Sequence, residues 1–256
     1  MTPRMRRVPA AVTRPRVSVI VCAWNEAASV APCLHSVLAQ TRAADEIILI
    51  DNASTDATAC IAAGIPGITV VHEPRKGLPH ARAAGVRAST GDILAWLDAD
   101  CRAPLTWLES IESHMRSPAV VAVTGPFRYY DWDRGGRAML RLYDMTVAPV
   151  VNVAVRDILG WGALLYGGNF AVRRGALEQA GGIDTSIEFH GEDTNLGRRL
   201  HQCGRVVLAR NCVMFTSARR YAAMGTWAVL RLYTRNFWHE VSRHRPADTH
   251  HIDVRT

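Results

Sequence analysis

Residues 93–100 read ILAWLDAD and decide the fold. A run of five apolar residues is followed at once by Asp98 and Asp100, two aspartates that are one residue apart. A continuous apolar run of this length is typical of a strand that is buried on both faces of a parallel sheet. Open α/β folds bind their ligands beyond the carboxyl ends of such strands. The stretch therefore predicts two carboxylates at a ligand-binding edge, where they could hold a divalent cation.

Two more acidic sites lie at the ends of predicted elements. Asp51 follows a second strand-like run, residues 46–50, and Glu192 and Asp193 begin a helical pattern. An Asp-x-Asp pair alone is a weak signal, because acids close together on a loop are most often solvated turn residues. Three acidic sites at the ends of elements indicate instead that the carboxylates line one cleft.

Along the chain, strand and helix patterns alternate, which is typical of parallel βαβ units. Strands are predicted at residues 17–21, 47–50, 69–71 and 93–97, and helices at 27–39, 56–63 and 79–88. Beyond Pro104 the alternation loosens, with a helix through Met115, strands at 120–124 and near 169–172, and a helix at 192–202. The sequence thus predicts an α/β fold whose regular first half binds a nucleotide.

The charge balance favours an anionic partner. The formal net charge is +7, which suits a nucleotide, a diphosphate or an anionic lipid surface. The sequence lacks the patterns of nucleic-acid readers, so no nucleic acid partner is expected. Lys76 is the only lysine, and this bias together with abundant alanine suggests a GC-rich bacterial genome. The six cysteines have no C-x-x-C spacing and are expected to be buried free thiols in a reducing cytoplasm.

The sequence predicts a protein that does not span a membrane. Residues 1–15 are rich in arginine and lack an apolar h-region, so they are expected to form a disordered basic tail. The best candidate for a spanning helix, residues 147–166, is interrupted by Arg156 and Asp157. Residues 224–241 form an aromatic helix that either packs on the core or lies at a membrane interface. We expect a cytoplasmic protein, soluble or peripheral on the inner face of the plasma membrane.

Several motifs occur in the order seen in one enzyme family. They are VSVIVCAWNE at 17–26, DNASTD at 51–56, KG at 76–77 with AR at 81–82, TGD at 90–92 leading to DAD at 98–100, and GED at 191–193. Together they resemble the family 2 glycosyltransferases of the A-type fold (GT-A), over about residues 16–221. The chain departs from many members at Cys22, where they have proline. The resemblance implies a Rossmann-like, mostly parallel sheet flanked by helices.

The domain organisation is expected to follow this coverage. Residues 1–15 and 242–256 are expected to be tails. A single GT-A domain at 16–241 would comprise a nucleotide-sugar-binding half at 16–103, a less regular acceptor-binding half at 104–221 and a C-terminal helix at 222–241. Loops on a rigid scaffold carry specificity, so acceptor choice is expected in the second half.

The resemblance also implies a binding site for a nucleotide-diphosphate sugar. Asp51 would accept a hydrogen bond from the ring N–H of the base, which uracil and guanine both offer, so UDP- or GDP-linked sugars are the expected donors. For Arg82 a solvated surface position is the alternative. The implied nucleotide-sugar site consists of Cys22, Ala23, Trp24, Asn25, Glu26, Asp51, Lys76, Arg82, Asp98, Ala99, Gly168, Asn169, Arg219 and Arg220.

The implied chemistry depends on the acids. Asp98 and Asp100 would coordinate Mn²⁺ or Mg²⁺ together with diphosphate oxygens, and the metal would act as a Lewis acid for the departing nucleoside diphosphate. Asp193 resembles the general base that removes the proton of the acceptor hydroxyl, with Glu192 in support. A single displacement with inversion follows. The alternative for Glu192 and Asp193 is that they only cap helix 192–202.

Two other functions stay open. A sugar nucleotidyltransferase would need a glycine-rich basic loop after the first strand, and residues 22–26 contain no glycine. A catalytically silent nucleotide-sugar-binding scaffold would not need Asp98, Asp100 and Asp193 intact. The acceptor hydroxyl is not identified. Lipid-linked, polysaccharide and small-molecule acceptors are all compatible with the sequence, and the basic tail and aromatic helix favour a membrane-proximal one in cell-envelope or glycolipid synthesis.

Overall fold

The computed structural model describes residues 14–154, 163–187, 191–243 and 247. Its strands are β1 (Val17–Ala23), β2 (Glu46–Asp51), β3 (Ile68–His72), β4 (Ile93–Asp98), β5 (Val120–Thr124), β6 (Phe127–Tyr129), β7 (Asn169–Arg173), β8 (Arg205–Leu208) and β9 (Met214–Thr216). Its helices are α1 (Val30–Leu38), α2 (Thr58–Ala63), α3 (Leu78–Ala88), α4 (Trp107–His114), α5 (Arg134–Val153), α6 (Arg174–Gln179), α7 (Glu192–Cys203), α8 (Arg219–Met224) and α9 (Thr226–Arg243).

Seven of these strands form one sheet in the order β3-β2-β1-β4-β7-β5-β8. Strand β7 runs antiparallel to both of its neighbours, β4 and β5, while the other neighbouring pairs in this sheet are parallel. Strands β6 and β9 form a separate parallel pair. The predicted α/β fold with a mostly parallel sheet is confirmed.

The central strands of the sheet are almost continuous runs of buried apolar residues. The sheet is therefore covered on both faces. Alternate residues of β1 enter opposite cores: Val19 and Val21 join one cluster with Leu34 of α1, and Ile20 joins the other. Helix α3 packs closely on the second face, where a Cβ on Gly85 would lie 2.4 Å from the Ile20 side chain. This two-sided packing fixes the strand ends at which the polar residues lie.

The strand register brings two of the predicted acids to one edge of the sheet. Ala23 of β1 pairs with Asp51 of β2, and Cys22 of β1 pairs with Asp98 of β4. Asp51 and Asp98 therefore flank the end of β1 at the carboxyl edge. The loop that begins with Trp24 leaves the sheet between them.

The second half of the chain departs from the predicted boundaries. Helix α5 occupies a region whose pattern predicted no defined element. The predicted helix 222–241 is divided, because Gly225 has a left-handed φ of 80° that ends α8. Helix α9 then continues to Arg243, so its last residues are helical although the sequence analysis placed them in the tail 242–256.

Some predictions concern residues that the structure does not describe, or concern membrane crossing and cysteine burial. Residues 1–13 of the expected basic tail, Arg156 and Asp157, and residues 248–256 lie outside the described residues. None of the helices in the described ranges combines the length and apolar character that crossing a membrane requires. All six cysteines are free, but the expected burial fails for Cys60, which is exposed, and for Cys203, which is half-buried.

Candidate active site

Asp98 and Asp100 lie where β4 leaves the sheet at its carboxyl edge. Burial raises the pKa of Asp98, although Arg82 and Arg220 act in the opposite direction. Burial also raises the pKa of Asp100 to about 6, against the lowering influence of Arg219. Two carboxyl groups that have lost much of their water at one edge are stabilised in their charged form by a nearby cation.

Arg219, at the start of α8, supplies one such cation. Its Nη2 lies 3.0 Å from Oδ2 of Asp100, and its Nη1 lies 3.0 Å from Oε2 of Glu26. The second nitrogen also bonds to Glu26, so the guanidinium holds that carboxylate with both arms of its fork. Because Glu26 closely follows β1, one arginine links the C-terminal part of the chain to two acids at the carboxyl edge.

The acids at this edge fit a divalent cation whose shell is completed by a phosphate group. Asp98 and Asp100 offer hard carboxylate oxygens. Within the described ranges, no cluster of three or more His, Cys, Asp or Glu side chains could hold a metal ion. Mg²⁺ sites of the nucleotide-dependent kind use one or two carboxylates and take further ligands from substrate phosphates and water. The residues present match that arrangement.

Asp51, at the end of β2, is buried and held from two sides. Its Oδ2 lies 2.9 Å from Nδ1 of His72, the last residue of β3, and its Oδ1 accepts the Ser54 N–H at 3.3 Å. The next residue, Asn52, donates to two carbonyls of the loop after β3 and accepts the Gly77 N–H at 2.8 Å. The loops after β2 and β3 are therefore tied together beside Asp51.

Trp24 and Lys76 form a stacked pair at the same edge. The Lys76 ammonium lies 3.4 Å from the centre of the Trp24 ring, a cation–π contact. The next residue, Asn25, has a positive φ of 52°, and its Oδ1 accepts the Thr55 N–H at 2.8 Å. An aromatic ring and an ammonium thus lie beside the strand end that carries Asp51, and these groups suit a base and a phosphate.

Glu192 and Asp193 open α7 but bind groups from other elements. Oε1 of Glu192 lies 2.8 Å from Nη1 of Arg82; the Arg82 side chain is buried and the Glu192 side chain is 10% exposed. Oδ2 of Asp193 accepts the Gly167 N–H at 3.1 Å. Burial raises the pKa of Glu192 to about 7; the charge of Asp193 adds to this rise and Arg82 opposes it. A capping role alone does not account for these contacts.

The turn Gly167–Gly168, just before β7, contacts both Asp98 of β4 and Asp193 of α7. A Cβ on Gly167 would lie 2.9 Å from Oδ2 of Asp193, and a Cβ on Gly168 would lie 2.3 Å from Oδ2 of Asp98. Gly168 also has a φ of 80°, which favours glycine. The structure therefore brings Asp98 and Asp193 against neighbouring residues of one turn.

Arg82 is buried beneath this turn, so it is not the solvated surface arginine of the alternative interpretation. Its Nη1 bonds to Glu192, and its guanidinium lies 5.1 Å from the centre of the Phe170 ring. Its Nη2 has no hydrogen-bond partner among the described residues and points toward Gly167. Buried polar groups are usually hydrogen-bonded, so this nitrogen keeps an unused donor beneath the turn.

Three residues of the predicted site lie beneath the edge instead of facing it. The Asn169 amide is fully engaged: Oδ1 accepts the Trp107 indole N–H at 2.9 Å, and Nδ2 donates to two backbone carbonyls at 2.8 Å. Ala99 is buried, and burial raises the pKa of the Cys22 thiol to about 12. The structure places these side chains in the support of the site.

The structure adds residues that the sequence analysis did not select. His72 contacts Asp51, the Tyr130 hydroxyl donates to the Asp100 carbonyl at 3.3 Å, and the Arg102 guanidinium lies 4.4 Å from the Tyr130 ring centre. Of these, only His72 could have been selected from the sequence, because it is the last residue of β3 just as Asp51 is the last residue of β2. Arg220, which the sequence analysis placed in the nucleotide-sugar site, forms a side-chain hydrogen bond with Tyr233 of α9.

The comparisons with known proteins agree with this architecture. Residues 18–181 match the sequence model of Glycosyl transferase family 2, a span that includes the β2 and β4 acids but not Glu192 or Asp193. The chain is 29% identical over 199 residues to glycosyltransferase AglE of Haloferax volcanii, covering 75% of this chain and 63% of AglE. It therefore spans less than two thirds of that relative.

Solved structures share the fold. Mannosyltransferase PcManGT from Pyrobaculum calidifontis, in complex with GDP-Man and Mn²⁺, has a TM-score of 0.68 and 25% identity over 90% of this chain and 64% of that one. Glucosyl-3-phosphoglycerate synthase from Mycobacterium tuberculosis, with Mn²⁺, UDP-glucose and phosphoglyceric acid, has a TM-score of 0.62 and 20% identity, covering 89% and 80%. Since the family match extends over more than half of its length, this chain belongs to Glycosyl transferase family 2.

Proposed function

We propose that this chain is a metal-dependent, inverting glycosyltransferase that moves a sugar from a nucleotide-diphosphate sugar to an acceptor hydroxyl. The observation that carries this proposal is the position of Asp98 and Asp193 against the two adjacent glycines of one turn. A cation-binding edge and a proton acceptor on either side of one turn are the parts that such a transfer needs. Membership of the family supports the reaction class.

The donor is proposed to bind across the carboxyl edge of β1, β2 and β4. Asp51 accepts the ring N–H of the base, and the Trp24 ring with the Lys76 ammonium lies beside the ribose and diphosphate. A uracil or guanine base satisfies this contact. The similar structures contain GDP-Man in one case and UDP-glucose in the other, which supports the same two donor classes here.

Asp98 and Asp100 are the proposed ligands of Mn²⁺ or Mg²⁺, and Mn²⁺ is present in both similar structures. When bound, the metal would neutralise charge on the departing nucleoside diphosphate. Arg219 contacts Asp100 and Glu26 at the same edge, and its positive charge would attract the diphosphate. Arg82, buried beneath the Gly167–Gly168 turn, adds a second positive charge near the acids.

Asp193 is the proposed general base. Its carboxylate removes the proton of the acceptor hydroxyl while the hydroxyl oxygen forms a bond to the anomeric carbon. The bond from that carbon to the diphosphate oxygen breaks, and its electron pair leaves with the nucleoside diphosphate. The Gly167 N–H donates to Asp193, which orients the carboxylate. One base and one displacement produce inversion at the anomeric carbon.

The acceptor is proposed to be a membrane-proximal hydroxyl, reached from the cytoplasmic side. Lipid-linked, polysaccharide and small-molecule acceptors share the hydroxyl nucleophile. They differ in the position that each would occupy on residues 104–221, the proposed acceptor-binding half.

The reaction is tested by incubating the protein with UDP-glucose or GDP-mannose, Mn²⁺ and a panel of hydroxyl acceptors, and by determining the anomeric configuration of the product by NMR. We expect release of nucleoside diphosphate that stops on chelation, and a product of inverted configuration. A product with retained configuration would contradict the single displacement. Failure to consume any UDP- or GDP-linked sugar, when the two donors are extended to a panel of such sugars, would contradict the proposed reaction.

The base assignment is tested with Asp193→Asn. The amide keeps an oxygen for the Gly167 N–H but cannot take a proton, so transfer should fall by about 100-fold or more. Donor affinity should change by less than about threefold, because Asp193 is assigned to the acceptor side. Glu178→Gln, an exposed carboxylate on α6, is the control and should change neither quantity. Equal losses of transfer and donor affinity would contradict the assignment.

A further inference from the structure

The guanidinium of Arg219 is shared between two carboxylates of the cleft. Both of its Nη atoms donate to the Glu26 carboxylate, and Nη2 also lies 3.0 Å from Oδ2 of Asp100. The Glu26 and Asp100 side chains are only 5% and 13% exposed. Charges that have lost most of their water are screened little by salt. Arg219 is therefore a strongly held cation on Asp100.

Asp100 is also the carboxylate to which the proposed function assigns a divalent cation, so two cations have one partner. Arg219 contacts Oδ2 of Asp100, and the Cys101 thiol lies 3.9 Å from Oδ1. Whichever of these oxygens a divalent cation takes, it comes close to the guanidinium charge, and like charges at short range repel. While Arg219 stays on Asp100, it lowers the affinity of this edge for a divalent cation alone.

Glu26 keeps Arg219 in the cleft when the contact with Asp100 is given up. The two hydrogen bonds to Glu26 do not involve Asp100, so they remain when that contact breaks. Glu26 is buried just beyond the end of β1, and β1 pairs with β4, the strand that leads to Asp100. The guanidinium can therefore leave Asp100 and still lie beside the cation-binding edge.

The backbone at the start of α8 is anchored, so this movement needs only the side chain. The Ala218 N–H donates to Oδ1 of Asp131 at 2.6 Å, and the Arg219 N–H donates to Oγ of Ser217 at 3.2 Å. The Arg219 side chain is 28% exposed, which leaves one side of it open to the cleft and the solvent. A change of side-chain torsions alone can exchange its partners.

We propose that Arg219 couples the binding of the divalent cation to the binding of the nucleoside diphosphate. When no diphosphate is bound, the guanidinium competes with the cation for Asp100. A diphosphate offers the guanidinium other oxygens, in a geometry that suits its planar fork, and Asp100 is released to the cation. The inference rests on the proposed metal site, and it adds that the edge takes the cation and the diphosphate together in preference to the cation alone.

The test measures Mn²⁺ binding to the full chain from the EPR signal of free Mn²⁺, with and without UDP or GDP, after subtracting the Mn²⁺ that the nucleotide binds without protein. The wild type should bind Mn²⁺ about tenfold or more tightly with one of the nucleotides than alone. Arg219→Gln should bind Mn²⁺ alone about fivefold or more tightly than the wild type does, because the competing charge is gone. The gain that the nucleotide produces should shrink by about the same factor, since binding coupling is reciprocal.

The direction of the change separates this coupling from damage to the cleft, because a loosened cleft loses affinity for Mn²⁺ as well as for nucleotide. Arg116→Gln is the matched control. Arg116 is exposed, and the adjacent Ser117 carbonyl accepts a bond at 3.2 Å from Arg173, the last residue of β7, at the end of that strand remote from the cleft. The control removes the same charge and should bind Mn²⁺ like the wild type. If Arg219→Gln melts at a lower temperature than the wild type, Arg219→Met takes its place.

Two results would overturn the coupling and leave the metal site in place. One is an affinity for Mn²⁺ alone that is unchanged or lower in Arg219→Gln, and the other is an unchanged gain from the nucleotide. In both cases Asp100→Asn would still remove the nucleotide-dependent binding of Mn²⁺. A wild type that binds no Mn²⁺ with either nucleotide would overturn the coupling and the proposed metal site together.

Discussion

The backbone of Gly168 lies directly against the carboxylate of Asp98: a Cβ at position 168 would be 2.3 Å from Oδ2. The same turn contacts Asp193 through Gly167. Strand β4 and helix α7 are far apart in the sequence, and this turn sets the spacing between their acids. The cleft therefore depends on two residues without side chains.

Gly168→Ala should disturb the cation-binding edge more than the fold. The left-handed φ of 80° and the contact with Asp98 both oppose a Cβ, at a cost of about 1–3 kcal/mol in free energy of unfolding. Displacing Asp98 should lower the Mn²⁺-dependent affinity for a nucleoside diphosphate by about tenfold or more, as measured by calorimetry. Gly175→Ala is the matched control, since nothing lies within 4 Å of its Cβ position. Unchanged affinity in Gly168→Ala would show that Asp98 does not depend on this turn.

Glu192 should make the stability of the protein depend on pH. Its pKa is raised from 4.5 to about 7, so between these values the folded protein holds a proton that the unfolded chain has released. The free energy of unfolding should therefore fall as pH rises from about 4.5 to 7, by up to about 3 kcal/mol from this group.

Glu192→Gln removes that titrating group. Urea unfolding at several pH values should show a shallower fall for this variant than for the wild type across the same window. Glu178→Gln, which changes an exposed carboxylate, should keep the wild-type slope. An unaltered slope in Glu192→Gln would mean that the Glu192 carboxyl keeps an ordinary pKa in the fold.

The sequence predicted the first half of the fold well because the signals there are local. Buried parallel strands such as β1 and β4 read as continuous apolar runs, and Asp51 and Asp98 follow them directly. The second half depends on contacts between distant residues. The antiparallel direction of β7 and the reach of Arg219 to Glu26 have no periodic pattern in the chain.

Asn169 shows the same limit for the site. A polar residue after two glycines resembles a ligand, and only the tertiary structure reveals that Trp107 and two carbonyls occupy its amide. Helix α5 was not predicted for a related reason, because its buried residues include Asp144 and Asn152, and no local pattern shows that these polar side chains face the protein.

Asn169→Ala should lower stability without changing substrate affinity. Removing the amide leaves the Trp107 N–H and two carbonyls buried without their partner, at about 1–3 kcal/mol for an unsatisfied group. Thermal unfolding should show the loss, while the Michaelis constant for the donor stays within about twofold of the wild type. A large rise in the Michaelis constant with unaltered melting would restore Asn169 as a direct ligand of the sugar.

Arg219→Gln should weaken the binding of phosphate groups specifically. With Mn²⁺ present, the affinity for a nucleoside diphosphate should fall by about tenfold, the effect of losing one charge-assisted contact. The affinity for the free nucleoside should hardly change. Arg116→Gln, an exposed arginine near α4, serves as the control. If nucleoside and nucleoside diphosphate weaken equally, Arg219 acts only by holding Glu26.

The most direct test of the account is a calorimetric titration of UDP and of GDP into the wild type and Asp100→Asn, each with and without Mn²⁺. We predict that at least one nucleotide binds the wild type about tenfold or more tightly with Mn²⁺ than without it, and that Asp100→Asn loses this gain. Binding that is independent of Mn²⁺ and unchanged in Asp100→Asn, or no binding of either nucleotide, would contradict a metal-dependent nucleotide-sugar site at the end of β4.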